Sequence, residues 1–299
     1  MTSRLEEHSE PMPGVYPQPQ DAVAVRWVEL ETGRVRCLEL GSPDGRPVVM
    51  LPGWGCSAYS FRSNVGPFAA AGFRVLVVEP PGQGWSDRPR NETEYTIAAL
   101  AGSVLYVLDR LGVGTAALIG QSLGGAIAVR MALDVPERVG RLILWSPIGF
   151  GCARIVHLGA RLPLGLAPLL ERLVGPALVR HTLRLVYGRA PAARDVEQYA
   201  LPIRSPDFVR AQIALLRNVR WDPIPASDRA RLTLPISIVT GAGDRIVPTH
   251  CLADAAVTLP NARLRVLSGA GHAANETHPE QVNREALDFL GASAVLPTG

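Results

Sequence analysis

The spacing of hydrophobic positions changes several times along the chain, and each change marks an element. Residues 1 to 22 show no period; Pro11, Pro13, Pro17 and Pro19 predict an extended, proline-rich N-terminal segment that cannot be helical and has little to bury. Val23 to Leu30 and Arg34 to Leu40 then alternate apolar and polar residues around Thr32-Gly33, which predicts an antiparallel hairpin. Short continuous apolar runs follow at Pro47 to Leu51, Phe73 to Val78, Ala116 to Ile119 and Val139 to Trp145, as expected of strands buried on both faces. From Thr96 to Leu111 the period becomes helical: Ile97, Leu100, Ala101, Val104, Leu108 and Leu111 recur at spacings of three and four and form one buried stripe.

The alternation of strand and helix stops after Ser146-Pro147. From Ile148 to about Trp221 the chain is rich in Leu, Arg, Pro and Gly, with helical character over Gly165 to Val174 and Ala177 to Val186. It resumes with a strand at Leu234 to Thr240, a helix near Thr249 to Thr258, a strand at Arg263 to Leu267, and a last helix opened by Pro279 and stopped before Gly291. The pattern predicts an α/β protein with a mostly parallel central sheet flanked by helices. Its core spans 23–147 and 223–291, a helical cap at 148–222 is inserted after the sixth strand, and 292–299 form a tail. The leucines of the cap, Leu166, Leu169, Leu173 and Leu178 among them, predict helices whose apolar face turns inward over the strand ends of the core.

Composition narrows the choice of function. The chain has 299 residues, 47% of them hydrophobic and 19% charged, so it supports one large core and is not a disordered chain. A net charge of +3 with scattered arginines gives no basic stripe for a nucleic acid, and no apolar stretch free of charge and proline is long enough to predict a membrane span. Glu6, Glu7 and Glu10 stand where an export signal would need a basic start, so the expected location is cytoplasmic. All 30 basic residues are arginine. Without lysine there is no Schiff base, lysine general base or P-loop phosphate clamp. Cys37, Cys56, Cys152 and Cys251 show no C-x-x-C spacing, which suggests neither a zinc site nor a disulfide framework and predicts reduced thiols.

The chemistry is concentrated in Gly120-Gln121-Ser122-Leu123-Gly124, between an apolar strand and a helix rich in small residues. In a G-x-S-x-G turn the serine is forced into a strained backbone and its hydroxyl lies at a helix N-terminus, while the flanking glycines avoid collisions with neighbouring backbone. Three further pieces lie at strand ends. Leu51-Pro52-Gly53-Trp54-Gly55 has the glycines an oxyanion loop needs; Gly241-Ala242-Gly243-Asp244 places a carboxylate after one late strand; Gly269-Ala270-Gly271-His272 places an imidazole after the next.

In these residues, and in Pro81-Gly82-Gln83-Gly84-Trp85-Ser86-Asp87, the chain from about Ala24 to Leu290 resembles the α/β-hydrolase fold superfamily, in its form with a helical cap. The resemblance implies that Ser122 is the nucleophile, Asp244 the orienting acid and His272 the general base, with the amides of Trp54 and Leu123 forming the oxyanion hole. Gly53, Trp54, Gln121, Ile148 and Val247 are the expected substrate contacts. Pro52 stands where many members of the family have histidine, which alters the bracing of the loop but not its amides.

A serine nucleophile disfavours epoxide and haloalkane hydrolysis, which suit aspartate. The expected activity is hydrolysis of a small, apolar carboxylic ester or lactone through an acyl-enzyme, with no metal or organic cofactor. Carbon–carbon bond hydrolysis of dienoic ring-cleavage products is the alternative, although the glycine- and serine-rich oxyanion loop of that group is absent and Gln121 precedes the nucleophile. Cofactor-free perhydrolysis and a ligand receptor on the same fold are further options. Of the other histidines, His8 lies in the tail, His157 and His181 in the insertion, His250 in a helix, and His278 at the N-cap of the last helix. Asp87 and Asp222 are expected to be structural.

Overall fold

Burial on both faces explains why the central strands carry no alternation. In a computed structural model describing residues 6–7, 14–151, 161–219 and 223–291, the strands are β1 (Glu6–Glu7), β2 (Ala24–Leu30), β3 (Gly33–Leu40), β4 (Arg46–Leu51), β5 (Phe73–Glu79), β6 (Ala116–Gln121), β7 (Val139–Trp145), β8 (Ile236–Gly241) and β9 (Ala262–Leu267). They form one sheet in the order β1-β2-β3-β5-β4-β6-β7-β8-β9. Pairing is antiparallel from β1 through β3 to β5 and parallel from there to β9.

Successive strand residues serve opposite layers. Val49 and Leu51 of β4 and Leu142 and Leu144 of β7 pack with α2 (Ile97–Arg110) and α3 (Leu123–Asp134). Val48, Met50, Ile143 and Trp145 pack on the other face, with α1 (Val65–Ala70) and α11 (Pro279–Leu290). Between β7 and β8 lie α4 (Ala167–Leu173), α5 (Pro176–Tyr187), α6 (Ala193–Ala200) and α7 (Phe208–Asn218); α8 (Ala226–Arg231), α9 (Thr249–Thr258) and α10 (Ala274–Thr277) complete the helices used below. This insertion follows the sixth of the strands that periodicity marks. The two-residue β1, too short to leave a period, adds one more strand at the sheet edge.

Three expectations are corrected. The N-terminal segment does bury surface: Val15, Tyr16 and Pro17 are buried, the Tyr16 amide donates to Gln198 Oε1 of α6 (3.0 Å), and the Tyr16 ring meets Tyr59 edge-on. Three residues are too few to show a period, so composition alone suggested a bare lead-in. The leucines of the insertion do not turn inward as expected: Leu166, Leu169, Leu173 and Leu178 are 39%, 55%, 65% and 47% exposed. Val179, Leu183 and Tyr187 form the inner stripe of α5 instead, against Val196 and Ala200 of α6. Finally, Cys37 and Cys56 are free but Cys251 is disulfide-bonded, and Cys152 lies outside the described residues. Disulfide pairing depends on proximity in space, which spacing along the chain does not report. His8, His157 and Asp222 also lie outside the described residues.

Candidate active site

Ser122 joins β6 to α3 with φ 51° and ψ −112°, a conformation rarely adopted by a residue with a side chain. It is held there from three sides: its amide donates to Trp145 O of β7 (3.0 Å), and its carbonyl accepts from Gly125 N (3.0 Å) and Ile148 N (3.2 Å). The glycines around it are needed for space. A Cβ at Gly120 would lie 2.4 Å from Gly124 O, and one at Gly124 would lie 2.0 Å from Leu51 O and 2.8 Å from Pro52 O. The start of α3 is therefore pressed onto the loop after β4. Leu123 is the first residue of α3, where a backbone amide has no partner within the helix.

The loop that follows β4 is gripped by three glutamines. Gln121 Oε1 lies against Gly53, so close that a Cβ there would be 2.0 Å from it. Gln83 Oε1 accepts from Gly55 N (3.2 Å), and the carbonyl of Gln212 in α7 accepts from the Trp54 indole (3.1 Å). All three side chains are buried, and each keeps an unpaired polar atom: Gln121 Oε1, Gln83 Nε2 and Gln212 Oε1. Of these, sequence reasoning singled out Gln121 as a contact; Gln83 was noted only within its turn, and no spacing marks Gln212.

Asp244 and His272 leave adjacent parallel strands, β8 and β9, and meet: His272 Nδ1 lies 2.8 Å from Asp244 Oδ2. The other carboxylate oxygen accepts from the amides of Ile246 and Val247, both at 2.9 Å. Burial pushes the Asp244 carboxyl up, but the hydrogen bond and charge of His272 and these two amides outweigh it and hold the group below its ordinary range. The close approach of the two loops again needs glycine, since a Cβ at Gly241 would lie 2.2 Å from Ala270 O. Ile148 and Val247, expected as substrate contacts, are fully buried in the core and contribute amides to Ser122 and Asp244 respectively.

Sequence reasoning missed a buried polar cluster behind His272. Glu276 accepts from Tyr199 OH at Oε1 (2.7 Å) and from Tyr187 OH (2.8 Å) and Arg62 Nη1 (2.5 Å) at Oε2. Arg62 Nη2 also donates to Asp195 Oδ1 (2.7 Å), which accepts from Tyr59 OH (2.9 Å) as well. Tyr187, Asp195 and Tyr199 come from the insertion, whereas Tyr59, Arg62 and Glu276 come from the core. Burial pushes the Glu276 carboxyl above its ordinary range against the pull of Arg62 and the tyrosines. The position of Glu276 four residues after His272 was the one available signal.

The remaining candidates lie elsewhere. His278 sits at the N-cap of α11 with Nδ1 2.9 Å from Thr277 Oγ1, His181 and His250 are exposed, and Asp87 accepts from the Arg34 amide (2.9 Å) at the hairpin turn. A cleft of about 730 Å³ runs between α5 and the acid and histidine loops, but neither Ser122 nor His272 lines it. Among the described residues no group of three or more His, Cys, Asp or Glu is arranged to hold a metal, and no helix is long and apolar enough to cross a membrane.

Known proteins share this fold. The family model for the alpha/beta hydrolase fold matches residues 46–279. A 2-hydroxy-6-oxo-6-phenylhexa-2,4-dienoate hydrolase of Burkholderia cepacia is 31% identical over 258 residues, covering 82% of this chain and 88% of that protein. A magnesium-chelatase 30 kDa subunit of Rhodobacter capsulatus is 32% identical over 259 residues, covering 85% and 89%. Among solved structures, a carboxylesterase of Bacillus subtilis superposes with a TM-score of 0.77 at 23% identity, covering 90% of this chain and 91% of that one, a likeness of fold. The chain belongs to the α/β-hydrolase fold family of hydrolases.

Proposed function

We propose that the protein is a serine hydrolase cleaving a small, uncharged carboxylic ester or lactone, with Ser122 as nucleophile. The observation that carries the reading is the strained Ser122 at the start of α3, together with the 2.8 Å pair of His272 Nδ1 and Asp244. Asp244 fixes the tautomer that leaves His272 Nε2 unprotonated. Nε2 takes the hydroxyl proton as Ser122 Oγ attacks the carbonyl carbon, and the amides of Trp54 and Leu123 receive the oxyanion. Collapse breaks the bond to the alcohol oxygen, which leaves with the proton from His272. Water, deprotonated by the same imidazole, attacks the acyl-enzyme; the acid departs and Ser122 regains its proton.

Neutrality of the substrate rests on two glutamines. The polar side chains packed on Gly53 and Gly55, those of Gln121 and Gln83, are amides, which can hydrogen-bond an uncharged acyl or alkoxy group but offer no counter-ion. The expected location in the cytoplasm and the role of the insertion as a lid belong to the same proposal.

Sequence similarity to dienoate hydrolases favours a second reading, attack on a carbon–carbon bond beside a ketone. A panel of p-nitrophenyl esters of graded chain length, run beside a 2-hydroxy-6-oxodienoate, separates the two. Ester turnover lost in Ser122→Ala supports the proposal. Preferred turnover of the dienoate would replace it.

A further inference from the structure

The outward face of the insertion is apolar and cationic together. Leu166, just before α4, and Leu169 and Leu173 within it follow spacings of three and four and are 39%, 55% and 65% exposed, whereas Ala167 and Leu170 pack inward. On α5, Leu178 and Leu185 are two turns apart and 47% and 46% exposed, away from the inner stripe of Val179, Leu183 and Tyr187. Most of the large exposed apolar side chains of the described residues therefore lie on two consecutive helices. A soluble surface scatters such residues; a concentration of them marks a contact.

Charge indicates what the contact is. From 161 to 189 the chain carries Arg161, Arg172, Arg180, Arg184 and Arg189 against a single acidic residue, Glu171. All five arginines are exposed, and among the described residues none of them pairs with a carboxylate. Leucines flanked by arginines, whose methylene stems lie along apolar surface while the guanidinium heads seek anions, match the interface of an anionic bilayer. A second protein copy would bring the same positive charge to itself.

We propose that the exposed faces of α4 and α5 dock the protein peripherally on membranes rich in anionic phospholipid. Leu166, Leu169, Leu173 and Leu178 enter the headgroup boundary, and Arg172 and Arg180 are among the residues that hold lipid phosphates. The proposal is independent of which bond the enzyme cleaves.

Sedimentation of the full chain with phosphatidylcholine vesicles, with and without phosphatidylglycerol, tests it. The parent is expected to pellet with the phosphatidylglycerol vesicles at low salt and to be released at high salt. Arg172→Gln with Arg180→Gln should weaken partitioning about fivefold per charge removed. Leu169→Ser with Leu173→Ser should weaken it about tenfold or more, with an unchanged circular dichroism spectrum and unchanged turnover of a water-soluble ester. Failure to bind the anionic vesicles overturns the proposal, as does equal binding by the leucine variant. Light scattering that shows a parent dimer dissociated by Leu169→Ser with Leu173→Ser would overturn it too, reassigning the face to self-association.

Discussion

The main-chain amide of His272 donates a 2.9 Å hydrogen bond to the carbonyl of Val186, one residue before the end of α5. The backbone of the proposed base is thus held by the insertion as well as by the core. Gly271 makes this approach possible, since a Cβ there would lie 2.6 Å from Val186 O and 3.0 Å from the Tyr187 carbonyl carbon, both backbone atoms that cannot swing aside. Gly271→Ala is therefore expected to push the histidine loop off α5. Turnover should fall at least about 100-fold, because a displacement near 1 Å suffices for that. Kinetics beside a thermal melt check it; a variant with normal turnover would show that the contact does not position His272.

Ser122 makes a trade of stability for geometry measurable. A side-chain-bearing residue at φ 51° stores about 1–3 kcal/mol. Ser122→Gly relieves the strain and should raise the unfolding free energy by about 1 kcal/mol while removing turnover, whereas Ser122→Ala should remove turnover with little change in stability. Denaturant titrations of both variants against the parent test the difference. Equal stability of the glycine and alanine variants would mean that the elbow is unstrained.

Two buried carboxyls should act on stability with opposite signs. Asp244 titrates below its ordinary value of 3.8 in the folded protein, so its contribution is complete above that value and is lost as pH falls from it through the folded value. Glu276 titrates above its ordinary value of 4.5; its contribution is complete below that value and is lost as pH rises through the folded one. As pH rises from acid toward neutral, the stability gap between parent and Asp244→Asn should widen, and the gap between parent and Glu276→Gln should narrow. Thermal midpoints measured across that range decide both.

What was legible in the chain is what contiguous residues determine. The turn Gly120 to Gly124 carries its own steric reasons within five positions, and each strand near the site has a glycine-rich exit that needs no distant partner to be recognised. Alternation of α and β then fixes the ends at which Ser122, Asp244 and His272 emerge, because parallel strands place their exits on one edge of the sheet. The cluster around Glu276 was not legible. Arg62 lies 214 positions away and Tyr187 lies 89, so no window holds the donors together with the acceptor. The outward leucines were misread for a related reason: helical spacing gives two stripes on α5, Leu178 with Leu185 and Val179 with Leu183, and only packing tells which is buried.

The two glycines on either side of the proposed oxyanion site should differ in what they tolerate. A Cβ at Gly124 meets Leu51 O at 2.0 Å and Pro52 O at 2.8 Å, so Gly124→Ala must separate α3 from the loop after β4. That separation is expected to cost about 1–3 kcal/mol of stability, as overpacking does, and to move the Leu123 and Trp54 amides apart. Loss of even one oxyanion donor lowers turnover by about 100- to 1,000-fold. At Gly53 the first collision is with Gln121 Oε1 at 2.0 Å, the far end of a side chain that can rotate, and Ser122 Cβ follows at 3.2 Å. Gly53→Ala should therefore fold nearly as well as the parent and lose less turnover. Because the displaced Gln121 amide is a proposed substrate contact, its remaining loss should be concentrated in KM. Steady-state kinetics and melts of both variants test the ranking; a Gly124→Ala enzyme as stable and active as Gly53→Ala would show that the helix and the loop are not pressed together at the reacting centre.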